Sequence, residues 1–219
     1  VGPGDLLASL GVGGVAIGFA FKDILQNLLA GILLLIRQPF KVGDQINFDG
    51  FEGTVETIET RSTIIKTYDG RRILIPNGQI YTNPVTVNTA FAIRRSQYDV
   101  GIGYGDNMAE AAEKMMEAMK SVEGVSDSPA PEVLAVDLAD STVNLRARWW
   151  TDSKSGSVIR TQDKVITAIK KAMDDNFIDM PFPTQIVLLH DQTEETDGDR
   201  TSQREGWPAG SKPPKPARI

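Results

Sequence analysis

The sequence contains no cysteine and only one histidine, His190. The absence of cysteine excludes a disulfide framework and any metal site built from thiolates. A single histidine at the end of a predicted strand provides no histidine cluster that would bind a metal ion. A phosphate-binding loop of the GxxxxGK type is also missing. The sequence therefore predicts no catalytic residue, no metal ligand and no cofactor, and we expect that the protein is not an enzyme.

Positive charge is scarce as well. The chain has 23 lysine and arginine residues against 29 aspartate and glutamate residues, which gives a net charge of −6. Binding of duplex nucleic acid requires a clustered basic face, so this balance argues against nucleic acid as a partner. The N-terminus lacks the basic segment and cleavage site of a secretory signal peptide. Because the chain begins without methionine, we interpret it as a piece of a longer protein.

Charge is absent from two stretches near the N-terminus, residues 6–21 and residues 24–36. The first stretch would span about 24 Å as a helix, somewhat less than the ~30 Å hydrocarbon core of a bilayer. Lys22 and Asp23 separate the two stretches, and Pro39 is expected to end the helical pattern. The sequence therefore predicts two helical pieces in tandem, with a polar joint between them.

The first of these pieces is rich in glycine. Each glycine inside a helix costs about 1 kcal/mol relative to alanine, and such a cost is offset when small residues let helices approach closely in a bilayer. A stripe at helical spacing runs beside the glycines and contains Val15 and Phe19. If several copies form a ring, this stripe faces the axis, and a ring of apolar side chains in a narrow pore excludes water and ions. A packed membrane or core helix without a pore is the alternative.

The remaining sequence predicts two further domains and a tail. Residues 42–92 contain short stretches rich in Ile, Val and Thr, separated by Asp49-Gly50, Asp69-Gly70 and Asn77-Gly78, which is typical of a small barrel or sandwich of five strands. From residue 93 a β-α-β-β-α-β order predicts a ferredoxin-like unit that closes with a strand at Ile186–Leu189. Asp106 is the expected N-cap of the first helix of that unit. Residues 192–219 are polar and rich in proline and are expected to be disordered.

Four segments together resemble the small-conductance mechanosensitive channel (MscS-like) family. They are GVGGVAIGFAFKDILQNLLAGILLLIRQPFKVGDQI at 11–46, FEGTVETIETRSTIIKTYDGRRILIPNG at 51–78, RRSQYDVGIGYGDN at 94–107, near which the last domain begins, and FPTQIVLLHD at 182–191. The resemblance implies a membrane protein fragment. It would comprise a pore-lining transmembrane helix with a bend (1–40), a small Sm-like β-barrel domain (41–92), an α+β ferredoxin-like domain (93–191) and a tail (192–219).

The resemblance also implies a function and site residues. The function is an ion channel that opens under membrane tension and releases ions and small osmolytes during hypo-osmotic shock. The channel would be a homo-heptamer in contact with membrane lipid, in the inner membrane of a bacterial cell, with the residues after about 40 in the cytoplasm. The pore constriction would be formed by Val15 and Phe19. Helix packing would involve Ala8, Gly11, Gly14, Ala16 and Gly18, and the candidate hinges are Lys22, Asp23 and Gly31.

A different function remains open at this point. An Sm-like barrel and a ferredoxin-like domain tethered to a membrane would also serve as a binding module for RNA or protein, by analogy at the level of the fold. Such a module needs exposed aromatic residues on its sheet. The barrel offers four aromatic residues for this purpose: Phe48, Phe51, Tyr68 and Tyr81.

Overall fold

The computed structural model describes residues 2–185, and within that range the side chains of residues 3–10, 12 and 13 are not described. The described residues divide into two compact units. The first unit comprises residues 2–95 and 150–161, and the second comprises residues 96–149 and 162–185. Residues 150–161 therefore belong to the first unit, although the division at residue 93 expected from the sequence would place them in the second.

The first unit begins with a single long helix, α1 (Pro3–Arg37). The helix continues without interruption through Lys22 and Asp23, so the expectation of two separate helical pieces is wrong. Polar side chains do not break a helix, because the backbone N–H and C=O groups at these positions still form their helical hydrogen bonds. The helix ends where the sequence predicts. Gln38 has a positive φ of 45°, its N–H donates to the carbonyl oxygen of Leu34 at 2.9 Å, and Pro39 follows.

Five strands and a short helix complete the first unit. The strands are β1 (Gln45–Phe48), β2 (Phe51–Ile58), β3 (Ser62–Thr67), β4 (Arg72–Pro76) and β5 (Thr86–Val87), and helix α2 (Asn77–Thr82) lies between the last two. They form one antiparallel sheet in the order β4-β3-β2-β1-β5. The apolar side chains that pack together in this unit come from the sheet, from α1, from α2 and from the segment between α1 and β1: Leu34, Phe40, Ile46, Phe48, Val55, Ile65, Ile75 and Ile80.

The three predicted turn dipeptides have different outcomes. Asp49 and Gly50 have φ values of 50° and 81° and join β1 to β2, as expected for a two-residue hairpin turn. Asp69-Gly70 joins β3 to β4. Asn77-Gly78 does not form a turn between strands, since it begins helix α2. The prediction is wrong there because the Asn77 side chain is held by the β3 region of the chain, as described below.

The second unit is built around a three-stranded sheet with the order β6-β8-β7. Its elements are β6 (Ile93–Ile102), α3 (Met108–Lys120), β7 (Glu132–Leu138), β8 (Val143–Asp152) and α4 (Ser155–Asp175), and some of them extend into the first unit. Strand β8 alternates between buried and half-buried residues. Trp149 on its buried face packs in one core with Met115 of α3 and Ile169 of α4. This order and connection agree with the first five elements of the ferredoxin-like unit.

The cap of α3 differs from the one expected from the sequence. The N-cap of α3 is Asn107, whose side chain accepts from the N–H groups of Ala109 and Glu110. It is not Asp106, because the Asp106 carboxylate accepts a hydrogen bond from the Asp179 N–H at 3.0 Å instead. The predicted last strand at Ile186–Leu189, His190 and the tail lie outside the described residues.

Candidate functional site

Helix α1 divides into two segments that differ in their contacts. Residues 14–26 are all exposed and form the exposed segment. Residues 27–34 form the docked segment, in which Ala30 and Leu34 are only 4% and 2% exposed. Leu34 packs into the core of the sheet. The polar joint seen in the sequence therefore lies just before the point where the helix docks on its own domain.

Asn27 marks the start of the docked segment. Its Oδ1 accepts a hydrogen bond from the N–H of Gly78 at 2.8 Å, and its Nδ2 donates to the carbonyl oxygen of Asp23 at 2.8 Å. Gly78 lies in the first turn of α2, where backbone N–H groups lack a partner inside the helix. Asn27 thus provides one of those missing acceptors and links α1 to α2.

Gly31 is the point of closest approach between α1 and the sheet. A Cβ at this position would overlap the carbonyl oxygen of Thr60 and would lie 2.6 Å from Nδ2 of Asn77. A side chain of any size is therefore excluded here. This close approach is a sufficient physical reason for the glycine, and its role as a hinge stays a prediction.

Asn77 holds the other side of this contact. Its side chain is fully buried, and both ends of the amide have partners. Its Oδ1 accepts from the hydroxyl of Thr63 at 2.8 Å, and its Nδ2 donates to the carbonyl oxygen of Glu59 at 2.8 Å. Sequence reasoning missed this residue because an Asn-Gly pair between two apolar runs is the usual signal of a hairpin turn.

The exposed segment carries the predicted constriction. Val15 and Phe19 are four residues apart on one face of the helix and are 60% and 73% exposed. Ala16 is also exposed. A Cβ added at Gly11, Gly14 or Gly18 would meet no atom within 4 Å, so no contact among the described residues explains these glycines. Ala8 lies in the part of α1 whose side chains are not described. The roles of all these residues in a pore or in helix packing stay predictions.

The exposed segment and the docked segment together are long and apolar enough to cross a membrane. The span runs over 24 residues, Gly14–Arg37, which corresponds to about 36 Å of helix. Large apolar side chains on this span are exposed, among them Ile17, Phe21, Leu25 and Leu29. Exposure of this extent marks a surface that lies against lipid or against another protein chain.

Several arginine side chains of the two units are paired with carboxylates, among them the two at the turn between β3 and β4. Arg72 holds the pKa of Glu56 below its usual value through a hydrogen bond of 2.8 Å. Hydrogen bonds from Arg71 and Thr67 lower the pKa of Asp69 to about 2. Because each of these arginines already has a carboxylate partner, the turn between β3 and β4 does not present the free basic charges that a nucleic acid would require.

Residues 2–185 offer less support for a metal site or for an RNA- or protein-binding surface. No group of three or more His, Asp or Glu residues is placed to hold a metal ion in this part of the chain. Of the four aromatic residues considered for RNA or protein binding, Phe48 is buried in the core of the sheet, while Phe51, Tyr68 and Tyr81 are exposed, but less so than Phe19 of α1. The exposed face of α1 is therefore the strongest candidate site.

Two family models match this chain. Residues 23–88 match the family model described as "Mechanosensitive ion channel, beta-domain", and residues 97–180 match the one described as "Mechanosensitive ion channel MscS, C-terminal". An uncharacterized MscS family protein of Archaeoglobus fulgidus is 36% identical over 182 residues, which are 83% of this chain and 64% of that protein. The small-conductance mechanosensitive channel of Helicobacter pylori is 28% identical over 86% of this chain and 68% of its own length.

A solved structure shows the same fold. The crystal structure of Helicobacter pylori MscS in the closed state superposes with a TM-score of 0.81 at 28% identity, covering 88% of this chain and 76% of that chain. The present chain spans just under two thirds of the length of the archaeal relative and 65% of an uncharacterized MscS family protein from Synechocystis. The similarity includes both units and part of α1.

Proposed function

Because the chain belongs to the MscS family of mechanosensitive ion channels, we propose that copies of the complete protein form a channel that opens under membrane tension. The channel is a homo-oligomer, a heptamer by the resemblance, with α1 of each copy around a central pore. It lies in the inner membrane of a bacterial cell. Ions and small osmolytes pass through it when hypo-osmotic shock stretches the membrane.

The gate in this proposal is a hydrophobic constriction at Val15 and Phe19. The main support is the exposure of Val15 and Phe19 on one face of the spanning helix. The glycines beside this face also have open space, since a Cβ added to any of them would meet no atom within 4 Å. Glycines with open space beside them allow close packing with the same helix of other copies. The stripe beside them then faces the axis, where a narrow apolar ring loses its water and blocks ions.

The direction of the chain in the membrane follows from its flanking charges. Arg37 is the last residue of the span and Lys41 lies four residues beyond it, and positive charge favours the cytoplasmic side. The sheet of the first unit and the whole second unit are then cytoplasmic. Tension favours the state with the larger area in the membrane, so outward tilting of α1 withdraws Phe19 from the axis and lets water enter.

A patch-clamp recording tests the proposal. The full-length protein in liposomes is expected to pass stepwise currents above a reproducible tension during a suction ramp. Phe19→Ser should hydrate the constriction and open at lower tension or leak without tension. Phe21→Ser is the matched control, since it makes the same substitution about 200° around the helix, and its threshold should stay close to that of the unmodified protein.

Two results would contradict the proposal at different levels. Silence of the unmodified protein up to membrane rupture, with incorporation confirmed, would refute the channel function. Normal gating in Phe19→Ser combined with a lowered threshold in Phe21→Ser would retain the channel and place the constriction on another face of α1.

A further inference from the structure

Two adjacent residues place opposite charges inside the membrane-spanning helix. Lys22 and Asp23 lie within the span Gly14–Arg37, and both side chains are exposed. Among the residues that the structure describes, neither side chain forms an ion pair. Ionised side chains inside a membrane are costly and are usually paired with one another or directed to water. Within the described residues these two charges have no oppositely charged partner, so a neighbouring copy of the helix is the candidate source of one.

The two side chains point to opposite flanks of α1. Successive residues of a helix are about 100° apart, so relative to the direction midway between Val15 and Phe19, Lys22 lies about 40° to one side and Asp23 about 60° to the other. The cavities beside the helix agree with this division. Lys22 lines a cavity of about 460 Å³ together with Gly18. Asp23 lines a different cavity of about 310 Å³ together with Asn27.

The two flanks also differ in their small residues. The flank of Lys22 carries Gly11, Gly14 and Gly18, and the flank of Asp23 carries Ala16 and Ala20, by the same angular count. In a closed ring of identical helices, each contact joins two different surfaces. The Lys22 flank of each copy therefore faces the Asp23 flank of the next copy. In a ring of seven the neighbouring copies lie about 65° to each side of the inward direction. These are close to the directions in which Lys22 and Asp23 point.

We infer that Lys22 of each subunit forms an ion pair with Asp23 of the next subunit, so that a closed belt of ion pairs surrounds the pore directly below Phe19. The inference rests on the proposed function for the ring and for the inward direction of Val15 and Phe19. The heights of the two groups match, since residues 22 and 23 differ by only about 1.5 Å along the helix. Arg61 lines the same cavity as Asp23 but forms no ion pair with it among the described residues.

The belt has a consequence for the function. It connects neighbouring helices immediately before the docked segment, at the level where α1 leaves the sheet of its own subunit. Helices that tilt apart when the pore opens separate the members of each pair. The belt therefore stabilises the closed ring and ensures that the subunits move together.

Cysteine cross-linking tests the pair directly, because this chain contains no cysteine. Two differently tagged versions of the full-length protein, free of other cysteines, are co-expressed, one with Lys22→Cys and one with Asp23→Cys, and oxidised in membranes. A disulfide-linked dimer that carries both tags is expected. The matched control combines Phe21→Cys with Ile24→Cys, two exposed positions that point away from the inward direction, and should give at least tenfold less of this dimer.

Charge reversal provides the second readout. Lys22→Asp and Asp23→Lys each bring like charges together at every subunit contact, which opposes association. Each variant alone should reduce the fraction of intact oligomer in detergent about tenfold, as measured by size-exclusion chromatography with light scattering. The double variant exchanges the two charges and should restore that fraction to within about twofold of the unmodified protein.

The possible failures are distinguishable from failure of the channel function. Absence of the mixed cross-link, or a double variant no better than the single variants, refutes the belt even if the unmodified protein still opens under tension. A changed ratio of anion to cation conductance in Lys22→Asp, with the oligomer intact, also refutes the belt. It would show that the Lys22 side chain faces the water of the pore. A mixed cross-link in a protein that stays silent under tension supports the belt and refutes the proposed function.

Discussion

Replacing Gly31 with alanine is predicted to loosen the docking of α1 on the sheet of the first unit. The new methyl group would overlap the carbonyl oxygen of Thr60 and approach Nδ2 of Asn77 to 2.6 Å. Neither group yields easily, because the first is backbone and the second is held by buried hydrogen bonds. Restoring ordinary contact distances requires α1 to move away by about 1 Å.

The cost of this movement follows from what it breaks. Overpacking of this kind costs about 1–3 kcal/mol. Displacement of Asn27 also stretches its 2.8 Å hydrogen bond from Gly78, and loss of a partner for a partly buried donor costs about 1–3 kcal/mol. Alanine returns about 1 kcal/mol through its better helix propensity. The net loss in docking free energy is then about 3 kcal/mol, which corresponds to a roughly hundredfold larger equilibrium population of the opened contact.

Hydrogen exchange at the amide of Gly78 measures this loss, because that N–H donates to Asn27. Gly31→Ala should accelerate its exchange about a hundredfold in the full-length protein. Gly14→Ala is the matched control for exchange at Gly78, since it adds the same methyl group about 26 Å along α1 from Gly31, where no atom of the same chain lies within 4 Å. Unchanged protection of Gly78 in Gly31→Ala, together with altered gating, would refute the packing argument and favour Gly31 as a hinge.

Two further predictions concern the stability of the two units. Asn77→Ala leaves the Thr63 hydroxyl and the Glu59 carbonyl without their buried partner. It should therefore destabilise the first unit by about 2–4 kcal/mol, which thermal unfolding would detect as a lower midpoint. A loss of less than about 0.5 kcal/mol would contradict this prediction. In the second unit, hydrogen bonds from Arg146 lower the pKa of Asp99, so this pair contributes stability above the unfolded pKa of aspartate and loses it as the pH falls through the lowered value. Because the pair is partly exposed, Asp99→Asn should lower the free energy of unfolding by no more than about 1 kcal/mol at pH 7, and by less at pH 2. Urea unfolding at both pH values measures this difference, and equal losses at the two pH values would contradict the stabilising role of the pair.

The features that were predicted correctly depend on residues close together in the sequence. Strand β3 (Ser62–Thr67) is one of the stretches rich in Ile, Val and Thr from which strands are predicted in residues 42–92, because β-branched residues suit a pleated, half-buried surface. The hairpin at Asp49-Gly50 and the end of α1 before Pro39 have local causes as well, namely the left-handed backbone conformation and the missing N–H of proline. The family was recognisable from the order and spacing of such local segments.

The candidate site was predictable only in part. Periodicity places Val15 and Phe19 on one face of α1, and their exposure agrees with that placement. It does not show where α1 begins to contact its own domain. The docked segment depends on Asn27 and Gly31, whose contacts lie 29 to 51 residues away at Thr60 and Gly78. A helical pattern contains no information about such distant partners.

The sequence alone determined which stretches form helices and strands, where most of the turns lie and which residues of α1 are apolar, because these properties arise from side chains a few positions apart. The tertiary structure decided which of two local possibilities was realised. Asn77-Gly78 begins a helix because Thr63 and Glu59 hold the buried amide, and Asn107 caps α3 because Asp179 occupies the carboxylate of Asp106. In both places the competing local conformations are close in energy, so a hydrogen bond from a distant part of the chain selects one of them.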